Sequence, residues 1–258
     1  MADYATIKLE STGPIARLTL ARPDKRNPIG PATCGELVHA LTAIATNDTV
    51  RVVVLGGEGK VFSAGGDLSQ MQAPGESGTL PPASFPDLFA AMHALGKPII
   101  AKVHGPALAG GLGLVVACDL VIAADSAVFG TTEIAVGLWP MMITAELTRS
   151  IGRKKVLEMM LTGAKLTASE ALSAGLVTRV VPATMLDSTV DALASEIAER
   201  SPAAIALGLR AFYAAQDMDY APALTYLQGE LGRVLALEDA SEGIAAFLQK
   251  RKPVWRGR

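Results

Sequence analysis

Cysteine is scarce in this sequence. Of 258 residues only Cys34 and Cys118 carry a thiol, and they stand far apart. A secreted disulfide framework has more cysteines at tighter spacing, so both are expected as free thiols in a reducing compartment. Charge of one sign is lacking too: 23 Lys and Arg face 25 Asp and Glu, a net charge of −2. That leaves no basic excess for nucleic acid and no acidic block for a disordered tail. The longest apolar stretch, Leu112 to Ala124, is interrupted by Cys118-Asp119 and is too short to span a bilayer. The opening MADYATIKLE has no basic region followed by an apolar run and reads as the start of a strand, not a signal peptide. These absences predict a cytoplasmic protein with neither a membrane nor a nucleic acid as partner.

Other chemistries are missing as well. The three histidines, His39, His93 and His104, stand singly, with no metal-ligand spacing to Cys, Asp or Glu. No metal is therefore expected. There is no GxSxG nucleophile elbow, which disfavours a serine hydrolase. No Gly-Lys-Ser/Thr follows a glycine loop, and no GxGxxG stands at the first strand-to-helix turn. Walker-type and dinucleotide-binding sites are therefore not indicated.

What is present is apolar residue in quantity, half the chain, enough for a sizeable core. Ile7–Glu10 and Ile15–Leu20 alternate apolar and polar around Gly13-Pro14 and predict a hairpin. Pro31–Thr46 has helical spacing. Val50–Leu55 is a β-branched run suited to a strand buried on both faces. Further strands are expected at Val61–Ser63, Pro98–Val103, Leu120–Ala123 and Ala127–Phe129. Helices are expected over Phe85–Leu95, from about Leu112, and around 144–150, 153–161 and 167–173. Residues 73–86, rich in Pro, Gly and Ser, predict a mobile loop. From about residue 184 the pattern is helical only: Met185–Arg200, Pro202–Ala215 and Leu224–Ala236. Strands alternating with helices, then helices alone, predict an α/β core with a helical C-terminal part.

Two loops of small residues share one character. Phe62-Ser63-Ala64-Gly65-Gly66-Asp67-Leu68 follows a β-rich run, and so does Ala107-Leu108-Ala109-Gly110-Gly111-Leu112-Gly113, which enters a helix. At such places backbone can approach a ligand closely. A helix start also exposes unpaired N–H groups. Two N–H groups converging from separate loops would make an oxyanion hole. Taken alone, either loop also fits a part limited to turns and close helix–strand packing.

Together, the loops and their spacing resemble the crotonase (enoyl-CoA hydratase/isomerase) superfamily. Phe62–Leu68 looks like that family's first oxyanion segment. His104–Gly111, followed by Ala117–Ala123, looks like its second. Phe129-Gly130-Thr131-Thr132-Glu133 with Val136-Gly137-Leu138 looks like its catalytic-acid segment, and Leu161-Thr162-Gly163 and Ala174–Val177 look like later landmarks. The resemblance implies an α/β fold, a crotonase-like spiral of repeated ββα units with a helical C-terminal region. It places the spiral core with the CoA and catalytic site at 1–195, and a helical trimerisation and capping region at 196–258. It implies a homo-oligomer, a trimer or a dimer of trimers. Acyl-CoA or enoyl-CoA thioesters would be the substrates, with coenzyme A entering as part of the thioester and no tightly bound cofactor. By motif position the oxyanion donors would be the N–H groups of Gly66 and Gly110. Contacts to coenzyme A would come from Lys25, Arg26, Ala64, Asp67, Leu68, Phe247 and Lys250. The two lysines and Arg26 also fit plain solvated surface charge, and Phe247 fits helix packing.

In the same resemblance, hydration of an enoyl thioester is served by two glutamates, whereas moving a double bond needs one carboxylate to shuttle a proton. The position matching the first glutamate is Gly113; the position matching the second is Glu133. An apolar neighbourhood is expected to raise the Glu133 pKa toward a useful value, although a carboxylate there also fits a helix-start cap. Glu146, Asp67 and Glu170 are the carboxylates that folding would have to bring in. After Trp139-Pro140 the chain has Met141-Met142-Ile143-Thr144 in place of the small, glycine-rich turn usual in such hydratases, which would narrow or reshape an acyl pocket. The expectation is thus an enolate-forming enzyme with a single glutamate, favouring double-bond isomerisation or a related proton transfer. A 2-enoyl-CoA hydratase holding water by other groups is the alternative, and a non-catalytic acyl-CoA-binding protein the second.

Overall fold

The hairpin forms as β1 (Ile7–Thr12) and β2 (Ile15–Leu20), antiparallel, with Ile7 opposite Leu20. The computed structural model describes residues 3–67 and 80–258. From β2 onward one pattern repeats: a long strand, a short strand, then a helix. β2 leads to β3 (Pro28–Ile29) and α1 (Pro31–Ala45). β4 (Val52–Gly57) leads to β5 (Gly65–Gly66) and α2 (Phe85–Ala94). β6 (Ile99–Val103) leads to β7 (Ala107–Leu108) and α3 (Gly110–Val116). β8 (Leu120–Ala124) leads to β9 (Val128–Gly130), a 3-10 turn over Glu133–Val136, and α4 (Met141–Ser150).

The long strands join one sheet in the order β1-β2-β4-β6-β8-β11, where β11 is Arg179–Val181; all its pairs after the hairpin are parallel. The short strands make a second layer. β3 pairs with β5, Ser63 bridges to Ala107, β7 pairs with β9, and β10 (Lys165–Thr167) runs antiparallel to β9. Each repeat is thereby offset from the last, which is the expected ββα spiral.

The main sheet is apolar on both faces because helices cover both. Val53 and Leu55 of β4 join the larger core under α1 and α2. Val52 and Val54 point the other way, with Ile100 and Ile122, against Leu186, Val190, Leu193 and Ala194. Those four lie on α7 (Leu186–Ala198). This explains the unbroken apolar run in β4, since a strand covered on both sides has no polar face to alternate with. Cys34 and Cys118 are buried free thiols. Burial, with Asp87 adding to it, pushes the Cys34 thiol up to about 12.

Several details differ from the sequence-based expectation. Val61–Ser63 is not a strand; only Ser63 makes a bridge. The carbonyls of Val61 and Phe62 are taken instead by the Asn27 side-chain amide, at 2.9 and 3.1 Å. β10 and β11 have three residues each, too short for a visible alternation. Half of the loop expected over 73–86 lies outside the described residues, and its end is helical: Ser84 and Asp87 form a reciprocal cap that starts α2. α7 runs through the boundary expected at 195/196, and Ala198, 6% exposed, still packs in the core. Between α4 and α7 lie α5 (Arg153–Thr162) and α6 (Ala168–Ser173). After α7 come α8 (Pro202–Gln216), α9 (Tyr220–Leu235) and α10 (Glu238–Leu248), the last with no counterpart in the sequence-based expectation. Among the described residues no helix is long and apolar enough to cross a membrane.

Candidate active site

The second layer brings the two glycine loops into contact. Gly65 is the reason they can meet. It sits at φ +105°, and a methyl group there would lie 2.5 Å from the Ala109 Cβ and 3.2 Å from the Gly110 nitrogen. Next along the chain, Asp67 donates its N–H to the Ile29 carbonyl at 3.1 Å. Successive N–H groups of an extended segment point to opposite sides, so that of Gly66 turns away from Ile29. Gly110 opens α3, where the first N–H groups have no acceptor inside the helix. The Gly66 nitrogen lies 3.5 Å from the point a Cβ on Gly110 would occupy. Between the loops Ala109 is held at φ 49°, ψ −128°, a conformation rare for an L-residue. Its N–H is fixed to the Gly130 carbonyl at 2.8 Å. Local strain of this kind persists only where the surroundings impose it.

Sequence reasoning missed what holds the first loop. Asn27, 1% exposed and at φ 52°, sits under it. Its amide nitrogen donates to the carbonyls of Glu58, Val61 and Phe62, and its amide oxygen accepts the Arg22 N–H. The Ser63 hydroxyl donates to the Asn27 carbonyl at 2.7 Å and accepts the Gly65 N–H at 3.2 Å. The available signal was the residue type, since Asn tolerates the left-handed region better than most.

Both glycines line a cavity of about 360 Å³ together with Ala64, Ala109, Glu133 and an apolar wall of Phe85, Val136 and residues 138–143. Glu133 begins the 3-10 turn that follows β9. One carboxylate oxygen, Oε2, is buried and without a hydrogen-bond partner among the described residues, as is the Thr131 hydroxyl. Burial raises the Glu133 carboxyl above the ordinary glutamate value, with its own backbone N–H pulling the other way.

Among the described residues no other carboxylate joins it in the lining of the cavity. Asp67 faces Arg22 at 3.4 Å. Glu170 caps α6, accepting from Thr167. Glu146 lines a separate cavity and lies 3.5 Å from His93. The space at Gly113 is also taken: a Cβ there would fall 2.1 Å from the Cγ2 of Ile143 and 3.3 Å from Phe89. Gly113 and Ile143, two separate departures in the sequence, are complementary halves of one contact.

The residues expected to touch coenzyme A fall into three groups. Ala64 lines the cavity, and its N–H donates to the Arg26 carbonyl at 2.9 Å, so the loop of Lys25 and Arg26 lies directly beside it. The side chains of Lys25 and Arg26 are exposed. Asp67 is 8% exposed and is not in the lining. Phe247, 83% exposed, stands on α10 and Lys250 in the turn that follows it, and both are likewise absent from the lining. Leu68 lies outside the described residues. Of the remaining histidines, His104 lies 3.0 Å from the Gly59 carbonyl and His39 contacts the Tyr4 hydroxyl at 2.9 Å.

Comparison with known proteins covers nearly the whole chain. Residues 10–258 match the family model described as enoyl-CoA hydratase/isomerase. The chain is 38% identical over 242 residues to a 2,3-dehydroadipyl-CoA hydratase of Escherichia coli, covering 93% of this chain and 94% of that one. It is 35% identical to a probable mitochondrial enoyl-CoA hydratase of Dictyostelium discoideum, covering 99% and 92%. Among solved structures, an enoyl-CoA hydratase of Mycobacterium smegmatis superposes with a TM-score of 0.90 at 34% identity, covering 97% of this chain and 99% of that one. The ββα spiral, the paired glycine loops and these matches make one case: the chain is an enzyme of the enoyl-CoA hydratase/isomerase family, within the crotonase superfamily.

Proposed function

We propose that the enzyme binds an enoyl-CoA thioester with its carbonyl oxygen at the N–H groups of Gly66 and Gly110, and that Glu133 is the single acid–base group. For a 3-enoyl thioester, the Glu133 carboxylate takes a proton from the carbon next to the carbonyl. The electron pair moves into the thioester, giving a dienolate whose oxygen charge the two N–H groups stabilise. The same carboxyl then returns the proton to the far end of the dienolate, and the double bond has moved into conjugation. Atoms balance with no water and no cofactor. The observation that carries this reading is the burial-raised carboxyl of Glu133, one oxygen of it without a partner among the described residues, beside a largely apolar cavity wall, with Ile143 filling the space at Gly113. Ala64, Lys25 and Arg26 are assigned to the coenzyme A end. Asp67 and Leu68 keep that assignment by resemblance alone. The exposed C-terminal face of α9 is assigned to self-association, with Phe247 and Lys250 approaching coenzyme A bound to a neighbouring protomer.

Glu133→Gln tests the reading. Turnover of 3-enoyl-CoA substrates is expected to fall about a hundred- to ten-thousand-fold, while thioester affinity changes little because the oxyanion donors lie elsewhere. Near-full turnover in the variant would remove Glu133 from the chemistry. In the parent, kcat/KM should rise with pH through the raised Glu133 pKa, because the carboxylate is the base. A second reading, 2-enoyl-CoA hydration, is favoured by the names of the relatives. It would require the water to be held by groups other than a second glutamate at position 113. Scoring water addition separately from double-bond migration on the same substrates separates the two.

A further inference from the structure

A second cavity, of about 660 Å³, opens between α8 and the body of the protein. Three helices connect it to the candidate site. On α2, Phe85 lines the first cavity and His93 the second; on α3, Gly110 and then Val116; on α4, Met142 and then Glu146. At 1.5 Å per residue these pairs stand roughly 6 to 12 Å apart along their helices. Between them stand Phe89, Gly113 and Ile143, with Ile143 and Phe89 both closing on the space at Gly113. Ile143 is 2% exposed and Phe89 7%. Ile143 faces the first cavity while its Cγ2 reaches under α3, where only the absent side chain of Gly113 leaves room for it. The partition between the cavities is therefore roughly one to two helical turns thick, and Phe89, Gly113 and Ile143 stand within it.

We propose that Ile143 is the residue that limits acyl length: it forms the end wall of the acyl pocket, and the second cavity is an extension that a smaller residue at 143 opens to longer chains. This rests on the reading of the first cavity as an acyl-CoA site. An acyl chain running from the paired glycines past Glu133 meets the branched end of Ile143 before it can reach the apolar walls that Leu176, Leu209 and Phe212 give the second cavity.

The test uses saturated acyl-CoA thioesters of increasing chain length as unreactive ligands, with dissociation constants measured for the parent, Ile143→Ala and the milder Ile143→Val. Each methylene buried adds about fourfold in affinity. The parent is expected to gain by this step up to a break, beyond which longer chains bind no better. In Ile143→Ala the break should move to longer chains by two carbons or more, and in Ile143→Val by less in the same direction. Should the alanine variant fold poorly, the valine variant alone decides. Tight binding with the same break in parent and variants, or with no break in the parent, overturns the inference and leaves the acyl-CoA reading intact. Absence of binding by any acyl-CoA to the parent overturns both.

Discussion

Glu133 sits where its charge is costly, and that cost has a measurable sign. Burial raises its folded-state pKa above the unfolded value, which is about 4.3 for glutamate. A raised carboxyl stabilises the fold below the unfolded pKa, and this contribution is lost as pH rises through the folded value. At neutral pH the ionised carboxylate therefore opposes folding relative to a neutral group of the same shape. Glu133→Gln is expected to melt above the parent at neutral pH, and the gap should close as pH falls below the unfolded carboxylate value. A variant that melts below the parent at neutral pH would mean the carboxylate has a stabilising partner. At this scale the sequence was informative where backbone alone matters: runs of small residues mark the two loops, and their approach depends on Gly65 having no side chain. It was silent on Asn27, whose three carbonyl acceptors lie 31 to 35 residues away and meet it only once the chain has folded.

At the scale of elements, strands with both faces covered and helices with an apolar stripe were legible. Of the three-residue strands, β9 was foreseen to within one residue, but β10 and β11 were not, because period and length cannot be read from so few positions. The α3–α4 contact shows a further limit. Gly113 and the Met141-Met142-Ile143 run each stand out in the sequence, yet only folding reveals that one fills the space the other leaves. Gly113→Glu, which by sequence alone would restore a second carboxylate, has no room while Ile143 stands. The single substitution is expected to lower stability by about 1–3 kcal/mol, the usual cost of overpacking. Adding Ile143→Gly should recover part of the loss, the remainder reflecting the roughly 1 kcal/mol that glycine costs inside a helix together with the lost isoleucine packing and the buried carboxylate. Urea midpoints at constant slope measure both. A single variant as stable as the parent would show that α4 shifts freely and that the partition is soft.

At the scale of the whole molecule, the C-terminal region is less finished than the spiral. α9 has no buried residue, and Leu224, Leu227, Leu231 and Leu235, each 38% to 59% exposed, fall at helical spacing. On α10 Ile244 is as exposed as these, and Phe247 and Leu248 are more exposed still. Two carboxylates nearby are already tied within the chain. Arg251, with the Val254 N–H, holds the Glu242 carboxyl down at about 2, and buried Asp239 accepts from Ser201, Arg256 and Gly257. An apolar stripe beside a tail so firmly tied fits a surface made to meet another copy of the chain. Leu227→Glu/Leu231→Glu places two charges on the stripe, where burial without a partner is strongly unfavourable. Light scattering is expected to find the parent as a trimer or a dimer of trimers and the double variant as a monomer with unchanged helix content. If Phe247 and Lys250 reach coenzyme A on a neighbouring protomer, dissociation should also raise KM for the thioester more than it lowers kcat, because Glu133 and both glycine loops lie within one protomer. A parent that stays monomeric at working concentrations would reject the assembly, and with it the assignment of Phe247 and Lys250 to a neighbour's ligand.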